Sequence, residues 1–305
     1  PLPKALRNVM SSVGCQKLSE NHKPPSPDVP NLKTMGRIES WLDLARWAPS
    51  GGNEQPWDVA AEERADGDEI VFLLSIRDEI RSRQNLMDPG GGASVLALGS
   101  FSESLRQAAL QDGFVADSPV FIERPALHDG RVLLRFRKQS ATTLPNLSEF
   151  IRKRRTGRGR LEPRPLGYDE PLIPFLPENA SSMDVKLFDN RTPELFRAIA
   201  PLEKMRCQNQ SLFEELFSEM IFSKSDQKKT GLPIRSLGIS PISVAFLYLC
   251  HFVPPARKYL QKLFKFGLHH IYVREGLGRP LKKCSRVYYF SSRQNGFRGW
   301  FELGT

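Results

Sequence analysis

The sequence predicts an α+β protein made of two units, and three observations support this. The chain has 305 residues, which at roughly 150 residues per domain indicates about two units. Apolar residues make up 40% of the chain and charged residues 26%, a balance that allows a packed core. Helical patterns and short alternating apolar runs both occur, without the short repeats that would indicate a solenoid or propeller.

The first half predicts helices around an antiparallel-leaning sheet. Apolar residues recur at helical spacing over 35–48 and 94–112, and Gly113 stands where a glycine commonly ends a helix. Strands are predicted over 57–61, 69–76, 120–122 and 132–136, with turn residues between them. The polar, proline-rich residues 1–33 precede these elements as an extension, so the first unit is expected over 34–143.

A second unit is expected over 144–305. Helices are predicted over 147–153 and 193–222, and strands over 183–188 and 287–290. Residues 236–255 carry no charge, and their most apolar part, 242–253, is too short to span a bilayer comfortably. We expect a buried helix there. The lysine-rich helix that follows, 256–266, suits a packed element, a membrane-surface helix or a docking face.

The charge and the cysteine content of the chain indicate its partners and its cellular compartment. Lys plus Arg total 44 and Asp plus Glu 34, and the net charge of +10 favours an anionic partner such as a phosphate cofactor, nucleic acid or acidic lipid. The four cysteines stand far apart without metal-finger or redox spacing. A reducing compartment, and hence a cytoplasmic location, is expected, and no signal peptide or metal site is predicted.

Residues 48–57, the glycine loop, form the most distinctive segment: Ala-Pro-Ser-Gly-Gly-Asn-Glu-Gln-Pro-Trp. Glycines allow a backbone to lie against a flat ligand without interference from Cβ atoms. Hydroxyl and amide side chains offer donors and acceptors for the edge of a heterocycle. The alternative is an ordinary helix-to-strand loop. The candidate binding residues are Pro49, Ser50, Gly51, Gly52, Asn53 and Gln55.

Residues 152–160, the arginine segment, place six cationic side chains among nine residues. Guanidinium groups match phosphate oxygens bidentately, and Thr156 adds a hydroxyl donor. The candidate phosphate ligands are Arg154, Arg155, Thr156 and Arg158. A solvated basic face, or a nucleic-acid or nuclear-targeting patch, would also account for this composition.

Taken together, the two segments resemble the nitroreductase family. The glycine loop has every fixed position of the family pattern Ala-Pro-Ser-x-x-Asn-x-Gln-Pro-Trp, and the arginine segment resembles the phosphate-binding pattern Arg-Arg-Ser/Thr-x-Arg. The predicted helix 94–112 resembles the long central helix of that family. The resemblance implies FMN as cofactor, with Arg154, Arg155, Thr156 and Arg158 facing its phosphate and the six loop residues facing the isoalloxazine and ribityl groups.

The order of the motifs departs from ordinary family members, in which the arginine segment precedes the loop. Here the arginine segment follows the loop by about a hundred residues. The arrangement resembles the single-chain, two-lobed branch of the superfamily, which implies an internal pseudo-dimer with one complete FMN site and a lid-like insertion around 225–275. The chain stops shortly after Trp300, so the second lobe is expected to be incomplete, and another polypeptide or further C-terminal chain would complete it.

The implied function is an FMN-dependent oxidoreductase that transfers hydride through flavin N5 to or from a small organic substrate, with NAD(P)H as candidate donor. No catalytic side chain is named, because the flavin itself carries the hydride. A second hypothesis is a non-enzymatic flavin-sequestering or docking lobe on the same fold. A third is a binder of anionic surfaces, either nucleic acid or membrane, driven by the positive charge.

Overall fold

Helices and antiparallel strands occur together along the chain, which confirms the α+β class. The computed structural model describes residues 36–64, 67–82, 85–139, 147–154, 183–188, 192–222, 230–237, 239–274 and 287–305. The predicted extension 1–33 lies outside these residues, as does the segment 155–182.

Within these ranges the elements follow in chain order, with three short 3-10 turns and one π-helical turn between them. The helices are α1 (Arg37–Ala45), α2 (Asp78–Ser82), α3 (Gly92–Gln111), α4 (Ser148–Lys153), α5 (Thr192–Gln208), α6 (Gln210–Ser218), α7 (Pro241–Phe252), α8 (Pro254–Leu263), α9 (His269–Val273) and α10 (Gly296–Gly304). The strands are β1 (Trp57–Glu63), β2 (Glu69–Ile76), β3 (Phe114–Ala116), β4 (Val120–Ile122), β5 (Arg131–Lys138), β6 (Met183–Phe188), β7 (Met220–Ile221), β8 (Leu232–Pro233) and β9 (Val287–Ser292).

The strands of the first half of the chain form a five-stranded antiparallel sheet. Its order is β1–β2–β5–β3, and β4 also pairs with β5. Strands β3 and β4 pair with opposite ends of β5, so they follow one another along the same edge of that strand. In β2 every second side chain is buried, the pattern of a strand with one face on a core. The strands predicted from the first half of the sequence are therefore confirmed.

Helix α3 packs against this sheet and supplies six of the twenty buried residues of the first core. Its fully buried side chains include Val95, Leu98, Phe101 and Leu105. Gly113 follows with φ +78°, the left-handed conformation that favours glycine after a helix. Trp41 of α1 donates its indole N–H to Asp112 Oδ2 at 2.6 Å, which ties α1 to the end of α3.

The last helix, α10, packs against α3 at close range. A methyl group at Gly99 would overlap the carbonyl oxygen of Phe301, and Ser100 Oγ donates to the carbonyl oxygen of Gly304 at 2.9 Å. Phe297 and Phe301 belong to the first core together with the sheet and α3. Helix α10 thus completes a core whose other members come from the first half of the chain, and the boundary at 143/144 stays a prediction.

A second hydrophobic core lies among the helices of the second half. It contains Cys207, Phe213, Phe217, Met220, Phe222, Ile234, Cys250, Leu260 and Phe264. Two small sheets accompany it: β7 pairs with β8 in parallel, and β6 pairs with β9 antiparallel. The helices and strands predicted at 147–153, 183–188, 193–222 and 287–290 are present.

A helix is present in the uncharged stretch, but the prediction that it is buried is wrong for most of its length. Helix α7 buries only Cys250, whereas Ile242 is 82% exposed and Phe252 70% exposed. The helix turns a single face toward the second core, so its other apolar side chains meet solvent. Among the helices that the structure describes, none combines the length and the apolar content needed to cross a membrane.

Candidate functional site

The glycine loop connects the end of α1 to the start of β1 through a 3-10 turn at Gly51–Asn53. The turn closes with the Glu54 N–H donating to the Gly51 carbonyl at 2.9 Å, while Ser50 Oγ accepts from the Gln55 N–H at 3.1 Å. Trp57 ends the loop and stacks on Phe101 of α3, with ring centroids 4.8 Å apart. The loop is therefore anchored to the first core at its C-terminal end.

Three residues of the loop have a positive φ, a backbone conformation that residues with a side chain seldom adopt. Gly52, Asn53 and Gln55 have φ values of +57°, +56° and +51°. Glycine accepts a positive φ freely and asparagine tolerates it, whereas for glutamine it is uncommon and costs of the order of 1–2 kcal/mol. Arg77 holds this geometry by donating to the Glu54 carbonyl at 2.6 Å. Strained backbone of this kind concentrates at ligand sites.

The two adjacent glycines face different surroundings. Around the position of a Cβ on Gly51 there is no other atom within 4 Å among the residues described, so this face of the loop is open. A Cβ on Gly52 would lie 3.1 Å from Oε2 of Glu219, at the end of α6. A flat ligand can therefore approach at Gly51, while Glu219 covers Gly52.

The arginine segment begins beside the same loop. Arg154, directly after α4, donates from Nη2 to the Trp47 carbonyl oxygen at 3.0 Å. Arg152 and Arg46 both pair with Asp43 of α1, at 3.3 and 2.7 Å. Three guanidinium groups thus gather near Trp47, where the loop begins. Of the other predicted phosphate ligands, Arg155, Thr156 and Arg158 lie outside the described residues.

Carboxylates lie near the later residues of the loop. Glu54 accepts from the buried Asn85 amide at 3.4 Å, and Glu215 of α6 accepts from the Leu86 N–H at 3.2 Å. Together with Glu219, which lies against Gly52, they form an acidic group, whereas Arg154 lies at Trp47, just before the loop. No motif in the sequence marks Asn85, Glu215 or Arg77 for the site, and only the fold brings them there.

A cavity of about 370 Å³ opens next to Asn85, at the start of α3. Its lining includes Arg81, Leu86, Asp88 and His128. The N-terminus of α3 does not serve as an anion site here, because the Asp88 carboxylate accepts the N–H groups of Ala93 and Ser94 at 3.0 and 2.9 Å. The cavity is within the size range of small-molecule pockets.

The described part of the site suits a ligand with an anionic end and a flat polar ring. Arginines are the side chains that best match phosphate oxygens, and Arg154 lies at the loop. The open face at Gly51 and the polar side chains of Ser50, Asn53 and Gln55 suit the ring. These are features that FMN, the cofactor implied by the motif resemblance, would require, and Arg154 is the one predicted phosphate ligand among the described residues.

The two cysteines that the structure describes lie in the second core. Burial raises the pKa of the Cys207 thiol to about 11 and also raises the pKa of Cys250. Both groups are therefore neutral thiols near pH 7 and poor nucleophiles. Among the residues that the structure describes, no group of three His, Cys, Asp or Glu side chains could hold a metal ion.

No protein-family model matches the chain, and no curated protein is significantly similar to it in sequence. The resemblance to nitroreductases therefore rests on the motif residues and their surroundings.

Proposed function

We propose that this protein is an FMN-dependent oxidoreductase of the nitroreductase-like superfamily. The observation that carries the proposal is the hydrogen bond from Arg154 to the Trp47 carbonyl. It brings the arginine segment to the residue directly before the glycine loop, more than a hundred residues away in sequence. The nitroreductase-like arrangement requires this proximity, since one cofactor would contact both segments.

The residues of the site divide by the part of the cofactor that they would hold. Arg154, with Arg155, Thr156 and Arg158 following it in sequence, would bind the phosphate. Gly51 would let the ring approach the loop, and Ser50, Asn53 and Gln55 would orient its polar edge. When bound, FMN supplies hydride transfer at its N5 atom.

The distribution of charge favours one orientation of such a ligand. Arg154, beside Trp47, would attract an anionic end, while Glu54 and Glu219 would disfavour it near the later residues of the loop. The phosphate would therefore lie toward the arginine segment and the ring toward Gly51. The cavity beside Asn85 gives a small organic substrate room near the loop.

The same carboxylates favour a second candidate function, a non-enzymatic protein that sequesters flavin. Glu219 lies against Gly52, and Glu54 and Glu215 extend the acidic group. A nicotinamide donor carries phosphates that this group repels. The two candidates differ in turnover and agree in binding FMN.

The test is titration of the purified chain with FMN, followed by absorption and fluorescence. Wild type should bind and turn yellow. The double variant Arg154→Ala/Arg158→Ala should bind at least about a hundredfold more weakly, because each charge-assisted hydrogen bond contributes about 1.5–3 kcal/mol. The matched control is Arg197→Ala, since Arg197 is also exposed and also donates to a backbone carbonyl, that of Pro193.

Turnover then separates the two candidate functions. Oxidation of NADH or NADPH with a nitroaromatic or quinone acceptor supports the oxidoreductase, and bound flavin without turnover supports sequestration. A wild-type protein that ignores FMN, or an equal loss of binding in the Arg197→Ala control, would contradict both.

A further inference from the structure

The helices α7 to α9 expose large apolar side chains to an unusual degree. Phe266 is 87% exposed, more than the other large apolar residues described, and Ile242 follows at 82%. Others on the same stretch are Leu249, Phe252, Val253, Tyr259 and Ile271. We call the exposed side chains of residues 239–274 the α7–α9 surface. Isolated exposed apolar residues are ordinary, whereas a concentration along one segment marks an interaction site.

The opposite side of this segment is already packed, so the exposed side chains are not needed by the core. Cys250, Leu260 and Phe264 are buried in the second core. Tyr248 donates its hydroxyl to the Phe222 carbonyl at 2.6 Å, and the His251 ring stacks on Phe222. The segment is thus fixed from within while it presents its other side to the surroundings.

The exposed residues follow the helical repeat. Ile242, Leu249 and Phe252 lie at positions i, i+7 and i+10, which fall on one side of α7. Phe266 lies in a π-helical turn, Phe264–Leu268, in which Gly267 has φ +120°. Such turns interrupt regular helices and often occur at functional sites. Phe266 projects into solvent, while Phe264, two residues before it, is buried.

The charge of the segment has a single sign. No Asp or Glu occurs in residues 227–274. The cations of the described segment 239–274 are Arg257, Lys258, Lys262, Lys265 and Arg274. Arg257 pairs with Glu214 at 3.3 Å. Among the described residues no carboxylate pairs with the three lysines, which alternate with Tyr259 and Phe266 on the exposed side of α8 and the turn after it.

We propose that the α7–α9 surface binds peripherally to an anionic lipid bilayer. Exposed aromatic and aliphatic side chains enter the boundary between headgroups and acyl chains, and lysines pair with anionic headgroups, which is how interfacial helices bind membranes. A second copy of the same surface would bring like charges together, so charge complementarity selects an anionic partner. This inference is independent of FMN binding.

The experiment is sedimentation of the full chain with vesicles of equal amounts of phosphatidylserine and phosphatidylcholine, compared with phosphatidylcholine alone. Wild type should bind the anionic vesicles, and high salt should release it. Ile242→Ser/Phe266→Ser should weaken binding at least about tenfold through lost apolar burial. Each of the single changes Lys258→Gln, Lys262→Gln and Lys265→Gln should weaken vesicle binding about fivefold. The controls are Leu202→Ser and Lys204→Gln, exposed residues of α5 outside the surface.

A depth measurement makes the test specific to the surface. In Tyr259→Trp, lipids with brominated acyl chains should quench the added indole beyond the level seen in wild type. The proposal would be overturned by a lack of binding to anionic vesicles, by an equal loss in the α5 controls, or by no added quenching in vesicle-bound Tyr259→Trp protein. Self-association in solution that the Ile242→Ser/Phe266→Ser change abolishes would also overturn the proposal. Specific binding of an acidic peptide without lipid binding would do the same.

Discussion

Gly51 and Gly52 are neighbours in the glycine loop, but the absence of a side chain has a different physical consequence at each. Gly52 has φ +57°, and Glu219 lies against it. Gly51 has an ordinary backbone conformation and faces open space. One glycine therefore serves the fold of the loop, and the other leaves room for a ligand.

A pair of single substitutions separates these roles. Gly52→Ala should lower the free energy of unfolding by about 1–2 kcal/mol, because alanine is strained at positive φ. Gly51→Ala should change it by less than about 0.5 kcal/mol, the usual range for an exposed site. Urea unfolding of both variants gives the comparison, and equal losses would contradict the assignment.

The sequence predicts some residues of the site and misses others for physical reasons. Arg154 and the loop residues belong to motifs, and the structure brings Arg154 to the loop. Glu219 carries no local signal, because it reaches Gly52 only through the packing of α6. The positive φ of Gln55 could not be predicted either, since glutamine rarely adopts it.

At the scale of elements, the contact between α3 and α10 depends on glycines. Gly99 on α3 and Gly304 on α10 each lie where a methyl group would overlap the backbone of the facing helix. Ser100 completes the contact with its hydrogen bond to the Gly304 carbonyl. Because backbone atoms cannot swing aside as a flexible side chain can, the two helices would have to separate to admit a methyl group.

Gly99→Ala tests this contact with two effects of opposite sign. Helix propensity alone would stabilise the alanine variant by about 1 kcal/mol. The overlap with the Phe301 carbonyl should outweigh that gain, since overpacking typically costs about 1–3 kcal/mol and occasionally more. We expect a net loss of about 1 kcal/mol or more in thermal or denaturant unfolding. The control is Gly90→Ala, which meets no described atom within 4 Å; a stabilised Gly99→Ala variant would contradict the packing.

Periodicity predicts the elements of the first half well, because each strand or helix there has one face on the core. Strand β2 and helix α3 follow their predicted bounds closely. The prediction fails at α7, where continuous apolar character suggested burial. Apolar composition shows only that a surface favours exclusion from water. It does not distinguish burial within the chain from contact with a partner.

At the scale of the whole molecule, the two hydrophobic cores do not follow the order of the chain. The first core takes its sheet and α3 from the first half, and Phe297 and Phe301 from α10. The second core takes its members from between Cys207 and Phe264. This return of the chain could not be predicted from the sequence, because no local pattern encodes which distant helix a face will contact.

A buried and an exposed phenylalanine test whether α10 is part of the first core. Phe301→Ala should lower the free energy of unfolding by about 3–5 kcal/mol, whereas Phe150→Ala, at a 72% exposed residue, should have a small effect. Hydrogen exchange of the β2 amides should accelerate in Phe301→Ala. Unchanged β2 protection in that variant would show that α10 folds as part of a separate unit.

The return of α10 also constrains how the protein matures on the ribosome. Synthesis proceeds at about 5–20 residues per second, so helix α10 emerges on the order of ten seconds after the strands that it covers. Until then, the face of α3 around Gly99 lacks the α10 backbone that packs on it, and the ring of Phe121 lacks those of Phe297 and Phe301. A nascent chain paused within this interval displays that apolar face to chaperones, and residues 296–304 end the exposure.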